Sequence, residues 1–164
     1  MSIERRLPSV ILRATTEKEE IMSICGTDCC TKCDRLAECG GCEKTGGHPF
    51  GGSCAAAECV EKSGINGLSK MKKQLIDEIN ELGINGLKVD DLNLLSGFFV
   101  NLEYSLPNGQ TVKFLDDKNV YFGTQIEKRG TDRCYGIAAD KGFILVSEYS
   151  GFGENPQLIL YKKR

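Results

Sequence analysis

The cysteine residues constrain this chain more than any other feature of its sequence. Eight of the nine cysteines lie within the 35 residues from Cys25 to Cys59, in a segment rich in glycine and poor in periodic apolar residues. Such a segment cannot fold on a hydrophobic core of its own. Closely spaced thiols converge on one metal ion when a short turn brings their sulfurs together. We therefore predict a metal-organised module. Its ligands would be Cys25, Cys29, Cys30, Cys33, Cys39, Cys42, Cys54 and Cys59.

Two parts of this cluster have a distinct local signature. In Cys39-Gly-Gly-Cys42 the glycines can adopt the backbone angles that let amide hydrogens point at a thiolate. Cys54 and Cys59 flank the helix-forming sequence Ala-Ala-Ala-Glu, which predicts Cys54 at a helix start. A helix N-terminus favours the thiolate form of such a cysteine. Eight thiols fit two four-sulfur zinc sites, or one such site with bystanders.

Zinc is the metal that the knuckle-like pairs favour, and an iron–sulfur cluster, which also takes four cysteine sulfurs, is the alternative. Cys30 adjoins Cys29, and neighbouring side chains rarely both reach one ion, so Cys30 is the leading candidate for a spare thiol. Thiol–disulfide chemistry at Cys30/Cys33 or Cys39/Cys42 is a second alternative and would need a thiol with a lowered pKa. The first 24 residues contain no signal-peptide core, so we expect a cytosolic, reduced protein, which favours metal over disulfides.

Three stretches of different character predict an α+β fold. Residues 1–21 are expected to form a tail or leader, residues 22–63 the cysteine-rich metal-binding module, and residues 64–164 a domain of helix and sheet. Apolar residues recur at spacings of three and four over residues 68–82, which is typical of one amphipathic helix. Gly83 is a suitable stop for this helix, and Asn66-Gly67 is predicted to form a turn before it.

The remainder of the chain is predicted to form a sheet. One more helical turn is expected at residues 92–97, followed by a strand at residues 98–106 and a hairpin turn at Pro107-Asn108-Gly109. Short segments separated by Gly, Asp or Asn describe an antiparallel meander of about five or six strands, with one face packed on the helix. The further strands are expected at residues 110–115, 120–126, 135–139, 143–149 and 157–161.

The order of the cysteines resembles that of a family of small cysteine-rich proteins of unknown function from anaerobic bacteria and archaea. The likeness covers about residues 22–62 and implies metal binding without an assigned activity. The sequence departs from the family in the doubled Cys29-Cys30 and in lacking the further cysteines and the Phe-Pro-Cys ending that many members carry. The positions that carry the resemblance are Cys25, Gly26, Cys29, Cys33, Cys39, Cys42, Cys54 and Cys59.

Residues outside the cluster have simpler structural explanations. His48, the only histidine, would complete a Cys₃His site as a ligand and is otherwise a loop residue between glycines. Cys134 is expected to be a buried apolar residue of a strand and not a nucleophile. Asp90-Asp91 and Asp116-Asp117 stand where helix caps and tight turns favour aspartate.

Charge and composition narrow the function. A net charge of −2, with lysine and arginine scattered along the chain, gives no broad positive field for nucleic acid. The short apolar run at residues 9–12 is too brief for a membrane span. No catalytic set is recognisable, so the sequence favours a non-enzymatic protein while leaving enzyme activity open. We expect a zinc-structured module that binds a protein or a small molecule.

Overall fold

The computed structural model describes residues 23–26 and 35–164. The predicted tail, residues 1–21, lies outside the described residues. In the described ranges the helices are α1 (Leu36–Cys39), α2 (Cys42–Thr45), a 3-10 turn (Pro49–Gly51), α3 (Ala55–Glu81) and α4 (Gly97–Val100). The strands are β1 (Asn93–Ser96), β2 (Tyr104–Ser105), β3 (Thr111–Val112), β4 (Val120–Glu127), β5 (Arg133–Ala139), β6 (Phe143–Ser150) and β7 (Glu154–Lys163).

The strands form one antiparallel sheet of five in the order β1-β4-β5-β6-β7, and β2 and β3 pair separately as a small hairpin. The predicted α+β class and the antiparallel sheet are thereby confirmed. β4 to β7 pair in sequence order, as expected for a meander, and β1 adds to the outer edge of β4. Within the described ranges, no helix combines the length and apolarity needed to cross a bilayer.

The main hydrophobic core lies between α3 and one face of the five-stranded sheet. Leu75 and Ile79 of α3 are almost completely buried, as are Phe122 of β4 and Ile144 of β6. Side chains alternate along each strand, so every second residue of β4, β5 and β6 faces this core. The prediction that one sheet face packs on the amphipathic helix is confirmed, and we call that face the helix face.

Helix α3 is broken at Gly64, whose φ of 70° and ψ of −178° are not helical. The break separates a first segment after Cys54 from the amphipathic segment that the apolar spacing predicts. The prediction of a turn at Asn66-Gly67 is wrong, because both residues are helical and the chain changes direction two residues earlier. The predicted stop at Gly83 is confirmed, since the helix ends at Glu81 and Gly83 has a φ of 68°.

The chain between α3 and β4 differs most from the prediction. Residues 93–96 form β1, which pairs with β4, where the sequence predicts a helical turn. Residues 97–100 form α4, where it predicts the start of a strand, because the Ser96 hydroxyl accepts a hydrogen bond from the Phe98 amide and caps the turn. The hairpin turn before Gln110 is confirmed, although the strands on either side are two residues long.

Candidate metal centre

The structure describes five of the eight clustered cysteines. Cys29, Cys30 and Cys33 lie outside the described residues, so their ligand roles, and the spare-thiol role of Cys30, stay predictions. The five described members of the cluster are Cys25, Cys39, Cys42, Cys54 and Cys59.

Three of these thiols come together beside the N-terminus of α3. Cys25, Cys42 and Cys54 are 7%, 5% and 3% exposed, and the first two are close enough to Cys54 to influence its ionisation. Cys25 and Cys54 also belong to the main hydrophobic core. The Ser23 hydroxyl lies 3.5 Å from the Cys25 sulfur. Three separate segments therefore contribute sulfur to one buried location, which we call the thiol cluster.

Cys54 stands at the N-cap of α3, as the sequence predicts. Burial is the largest influence on its thiol and raises its pKa. The Ala57 and Ala56 amides lower the pKa in part, although the sulfur makes no capping hydrogen bond, and the neighbouring Cys25 and Cys42 raise it. The pKa reaches about 11, so the expected help from the helix N-terminus is present but burial outweighs it. A thiolate at this position needs a nearby positive charge.

Cys39 and Cys42 flank the predicted glycine knuckle. Cys39 ends α1 and Cys42 begins α2, and the two glycines between them have φ angles of 83° and 79°. The predicted positive angles are confirmed. The Thr45 hydroxyl donates to the Gly41 carbonyl at 2.6 Å, and a Cβ at Gly40 would lie 2.9 Å from the Thr45 methyl group. The tight turn therefore needs glycine, and it holds Cys42 inside the protein while Cys39 is half-buried.

Cys59 lies apart from the thiol cluster. It lies five residues after Cys54, and it is not among the groups that influence the pKa of the Cys54 thiol. Cys59 packs against the main core and, with Lys141 and Phe122, lines a small cavity of about 70 Å³. Burial raises the pKa of its thiol. A ligand role for Cys59 stays a prediction.

The structure places His48 in an exposed turn and Cys134 in the sheet. The His48 ring is exposed, and its Nδ1 donates to the Gly52 carbonyl at 3.0 Å, as expected of a loop residue. Cys134 lies in β5 and is half-buried, with the Gln125 side-chain amide 3.2 Å from its sulfur. It is more exposed than the sequence predicts, because it faces the side of the sheet away from α3.

The cysteine-rich region is joined to the sheet through backbone and side-chain contacts. The Ser53 carbonyl accepts from the Val120 amide at 2.8 Å, and the Ser53 amide donates to Asn119 Oδ1 at 2.9 Å. Cys54 forms an isolated parallel bridge with Val120, at the first residue of β4. The start of α3 is therefore fixed by the sheet as well as by the core.

Arg35 makes a second connection that sequence analysis missed. Its guanidinium carbon lies 4.6 Å from the centre of the Phe50 ring and 4.2 Å from that of Phe98, so the cation contacts two aromatic rings. The same group pairs with Glu38 at 2.8 Å. Phe98 belongs to α4, and this contact therefore holds the cysteine-rich region against the loop that precedes β2. No local sequence signal marks it, since the three residues are far apart in the chain.

The fold and this site define an α+β protein with buried thiols at the start of its long helix. Within residues 23–26 and 35–164, no three Cys, His, Asp or Glu side chains are arranged to hold a metal ion, so metal binding stays a prediction. Comparison with protein-family models, curated proteins and solved structures gave no match.

Proposed function

We propose that this chain is a non-enzymatic protein of the cytosol whose cysteine-rich region is structured by zinc, and whose role is to bind a protein or a small molecule. The observation that carries the proposal is the thiol cluster, in which three buried cysteines come from separate segments and two of them, Cys25 and Cys42, influence the pKa of the third, Cys54. Buried thiols at one location are the donor set that structural zinc uses. The resemblance of residues 22–62 to presumed metal-binding proteins supports the same reading.

The thiol cluster fits a zinc ion in its chemistry. Three sulfur ligands would come from Cys25, Cys42 and Cys54. The fourth would be Cys29, Cys33 or Cys39. Bound zinc would supply the positive charge that favours the thiolate form at a buried site, and the Ala56 and Ala57 amides would stabilise the charge on the Cys54 sulfur. The ion would then hold together chain segments that have little apolar surface of their own.

Anaerobic purification from metal-replete cells, followed by elemental analysis and a visible spectrum, tests the proposal. We expect a colourless protein with one or two zinc ions per chain. A brown protein with stoichiometric iron and sulfide would show that the cysteines hold an iron–sulfur cluster and not zinc. The absence of any bound metal would contradict both.

Variants of single cysteines locate the metal. We expect Cys54→Ser to lose zinc, because serine is a poor zinc ligand, and Cys134→Ser to retain the zinc content of the unmodified protein. Cys134 is a matched control because it lies in β5, outside the cysteine-rich region. Equal zinc content in the two variants would show that Cys54 is not a zinc ligand.

The thiol–disulfide alternative makes a different prediction. Exchange at Cys39/Cys42 requires that an attacking thiolate reach both sulfurs, and Cys42 is 5% exposed. We expect neither thiol to exchange with glutathione while zinc is bound. A disulfide that forms and breaks reversibly between Cys39 and Cys42 in the metal-loaded protein would favour a redox role.

A further inference from the structure

The sheet face turned away from α3 carries a cavity of about 410 Å³. The sheet lines it through residues of β1, β4, β5 and β6, and the rest of the lining comes from Phe99 and Val100 of α4 and from Leu102 just after it. This volume falls in the range of about 300–1,000 Å³ that is typical of small-molecule sites. None of the lining residues belongs to the thiol cluster, so the cavity is a separate feature.

The cavity exists because β5 presents small residues on this face. Gly136 and Ala138 alternate with Tyr135, Ile137 and Ala139, which face the helix. A Cβ at Gly136 would lie 2.5 Å from the Tyr149 ring and 3.0 Å from the Ser147 hydroxyl oxygen, so glycine is what lets both side chains approach the sheet.

The polar side chains of the cavity come from three strands of the sheet, β1, β4 and β6. Ser147 and Tyr149 line it, and the Ser147 hydroxyl donates to the Gly136 carbonyl at 3.3 Å. Gln125 of β4, which pairs with Gly136 across the sheet, adds an amide to the same part of the lining. The rest of the lining is mainly apolar and includes Val100, Leu102 and Leu145.

Tyr104 lies beside Ser147 but does not itself line the cavity. Its side chain is 3% exposed. Burial raises the pKa of Tyr104, and Ser147 is close enough to lower it in part.

We infer that this cavity binds an uncharged, mainly apolar small molecule that carries one hydroxyl or carbonyl group. The apolar walls would enclose its hydrocarbon part, and its oxygen would meet the hydroxyl groups around Ser147. Among the described residues, the cavity lining contains no lysine, arginine, aspartate or glutamate, so a charged ligand would lose its hydration without compensation. The inference rests on the binding role in the proposed function but not on its metal.

Titration of the intact, metal-loaded protein with three related probes tests this inference. 2-Naphthol has the apolar body and the hydroxyl group, naphthalene lacks the hydroxyl, and 2-naphthoate carries a charge. We expect calorimetry or NMR to show one bound 2-naphthol per chain, about five- to tenfold weaker binding of naphthalene, and no binding of 2-naphthoate. Failure of 2-naphthol to bind up to its solubility limit, or equal binding of 2-naphthoate, would overturn the inference. Zinc analysis of the same sample tests the metal separately.

Two variants locate the probe. Ala138→Leu fills the cavity from its sheet wall, and we expect at least a tenfold loss of 2-naphthol affinity in protein that circular dichroism shows to be folded. Tyr149→Phe removes a hydroxyl group from the lining, so we expect about fivefold weaker 2-naphthol binding and unchanged naphthalene binding. Tyr161→Phe is the matched control, because Tyr161 is exposed on β7 and does not line the cavity. Unchanged binding in folded Ala138→Leu would contradict the assignment of the site.

Discussion

Glu78 of α3 and Arg164, just beyond β7, form a two-point ion pair. Arg164 Nη2 donates to Glu78 Oε1 at 2.7 Å, and Arg164 Nε donates to Glu78 Oε2 at 2.9 Å. Arg164 Nη1 also donates to the carbonyls of Asp140 and Lys141, each at 3.3 Å. One guanidinium therefore joins the long helix to the turn between β5 and β6.

This ion pair predicts a pH-dependent stability. The hydrogen bond from Arg164 lowers the pKa of Glu78, and burial opposes it only in part. The stabilisation is therefore present above the ordinary glutamate pKa and is lost as the pH falls through the lower pKa of the folded state. We expect Glu78→Gln to reduce the free energy of unfolding by about 1 kcal/mol at pH 7. Urea denaturation should show this difference shrinking in acid.

Glu81→Gln is the control for this measurement, since Glu81 is an exposed carboxylate on the same helix. It should leave the stability within about 0.5 kcal/mol of the unmodified protein at every pH. A Glu78→Gln effect that does not change between neutral and acid pH would show that charge is not its cause.

Glu148, on the helix face of the sheet, makes a second electrostatic contribution to stability. Burial raises its pKa, but hydrogen bonds from Arg133 and Lys128 outweigh burial and leave the pKa lowered. Arg133 Nε donates to Glu148 Oε1 at 2.8 Å, and both side chains are largely buried. We expect Glu148→Ala to cost about 1–3 kcal/mol in unfolding free energy, because the Arg133 charge loses its partner. A loss no larger than that of Glu127→Ala, an exposed residue of β4, would contradict this.

Gly64→Ala tests whether α3 is broken. Its effect on the stability of the protein should have one sign in a broken helix and the opposite sign in a continuous one. The Gly64 φ of 70° and ψ of −178° suit glycine alone, and a Cβ there would meet no atom within 4 Å, so strain and not crowding opposes alanine. We expect Gly64→Ala to destabilise the protein by about 1–3 kcal/mol in thermal or urea unfolding. In a continuous exposed helix the same change would stabilise by up to about 1 kcal/mol, and that result would refute the break.

Leu75 tests the packing of α3 on the sheet. Its side chain is 0% exposed at the centre of the main core. We expect Leu75→Ala to lower the unfolding free energy by about 2–5 kcal/mol, since it leaves a cavity against the helix face. Ile65→Ala on the same helix is the control, because Ile65 is 53% exposed. Similar losses in the two variants would mean that Leu75 is not at the contact between helix and sheet.

The elements that follow from local patterns were predicted correctly. The spacing of Leu68, Leu75 and Ile79 identified the amphipathic part of α3, and alternation identified β4 to β7. The largest error falls at residues 92–100, where long-range contacts decide the structure. The Gly97 amide donates to the Asn119 carbonyl at 2.7 Å, and the Gly97 Cα packs on the Asp116 carbonyl, which leaves no room for a side chain. No local pattern reveals that contact.

The candidate site was predictable in its residue types but not in its grouping. The few residues around Cys54 are enough to predict that it stands at a helix start. The same is true of the two glycines between Cys39 and Cys42. The meeting of Cys25, Cys42 and Cys54 depends on how separate segments pack at the start of α3, which spacing does not encode. The sequence did not predict the cavity, for a related reason. The alternation of Gly136 and Ala138 with larger residues predicts small side chains on one face of the sheet, but it does not show which other segment covers them.

Zinc K-edge X-ray absorption of the anaerobically purified protein is the most direct test of zinc binding by the cysteines, because it measures which atoms surround the metal. We predict zinc bound by four sulfur atoms at about 2.3 Å, and a zinc signal that is weakened or lost in Cys54→Ser. A spectrum of zinc bound only to nitrogen and oxygen, or one unchanged by Cys54→Ser, would contradict it.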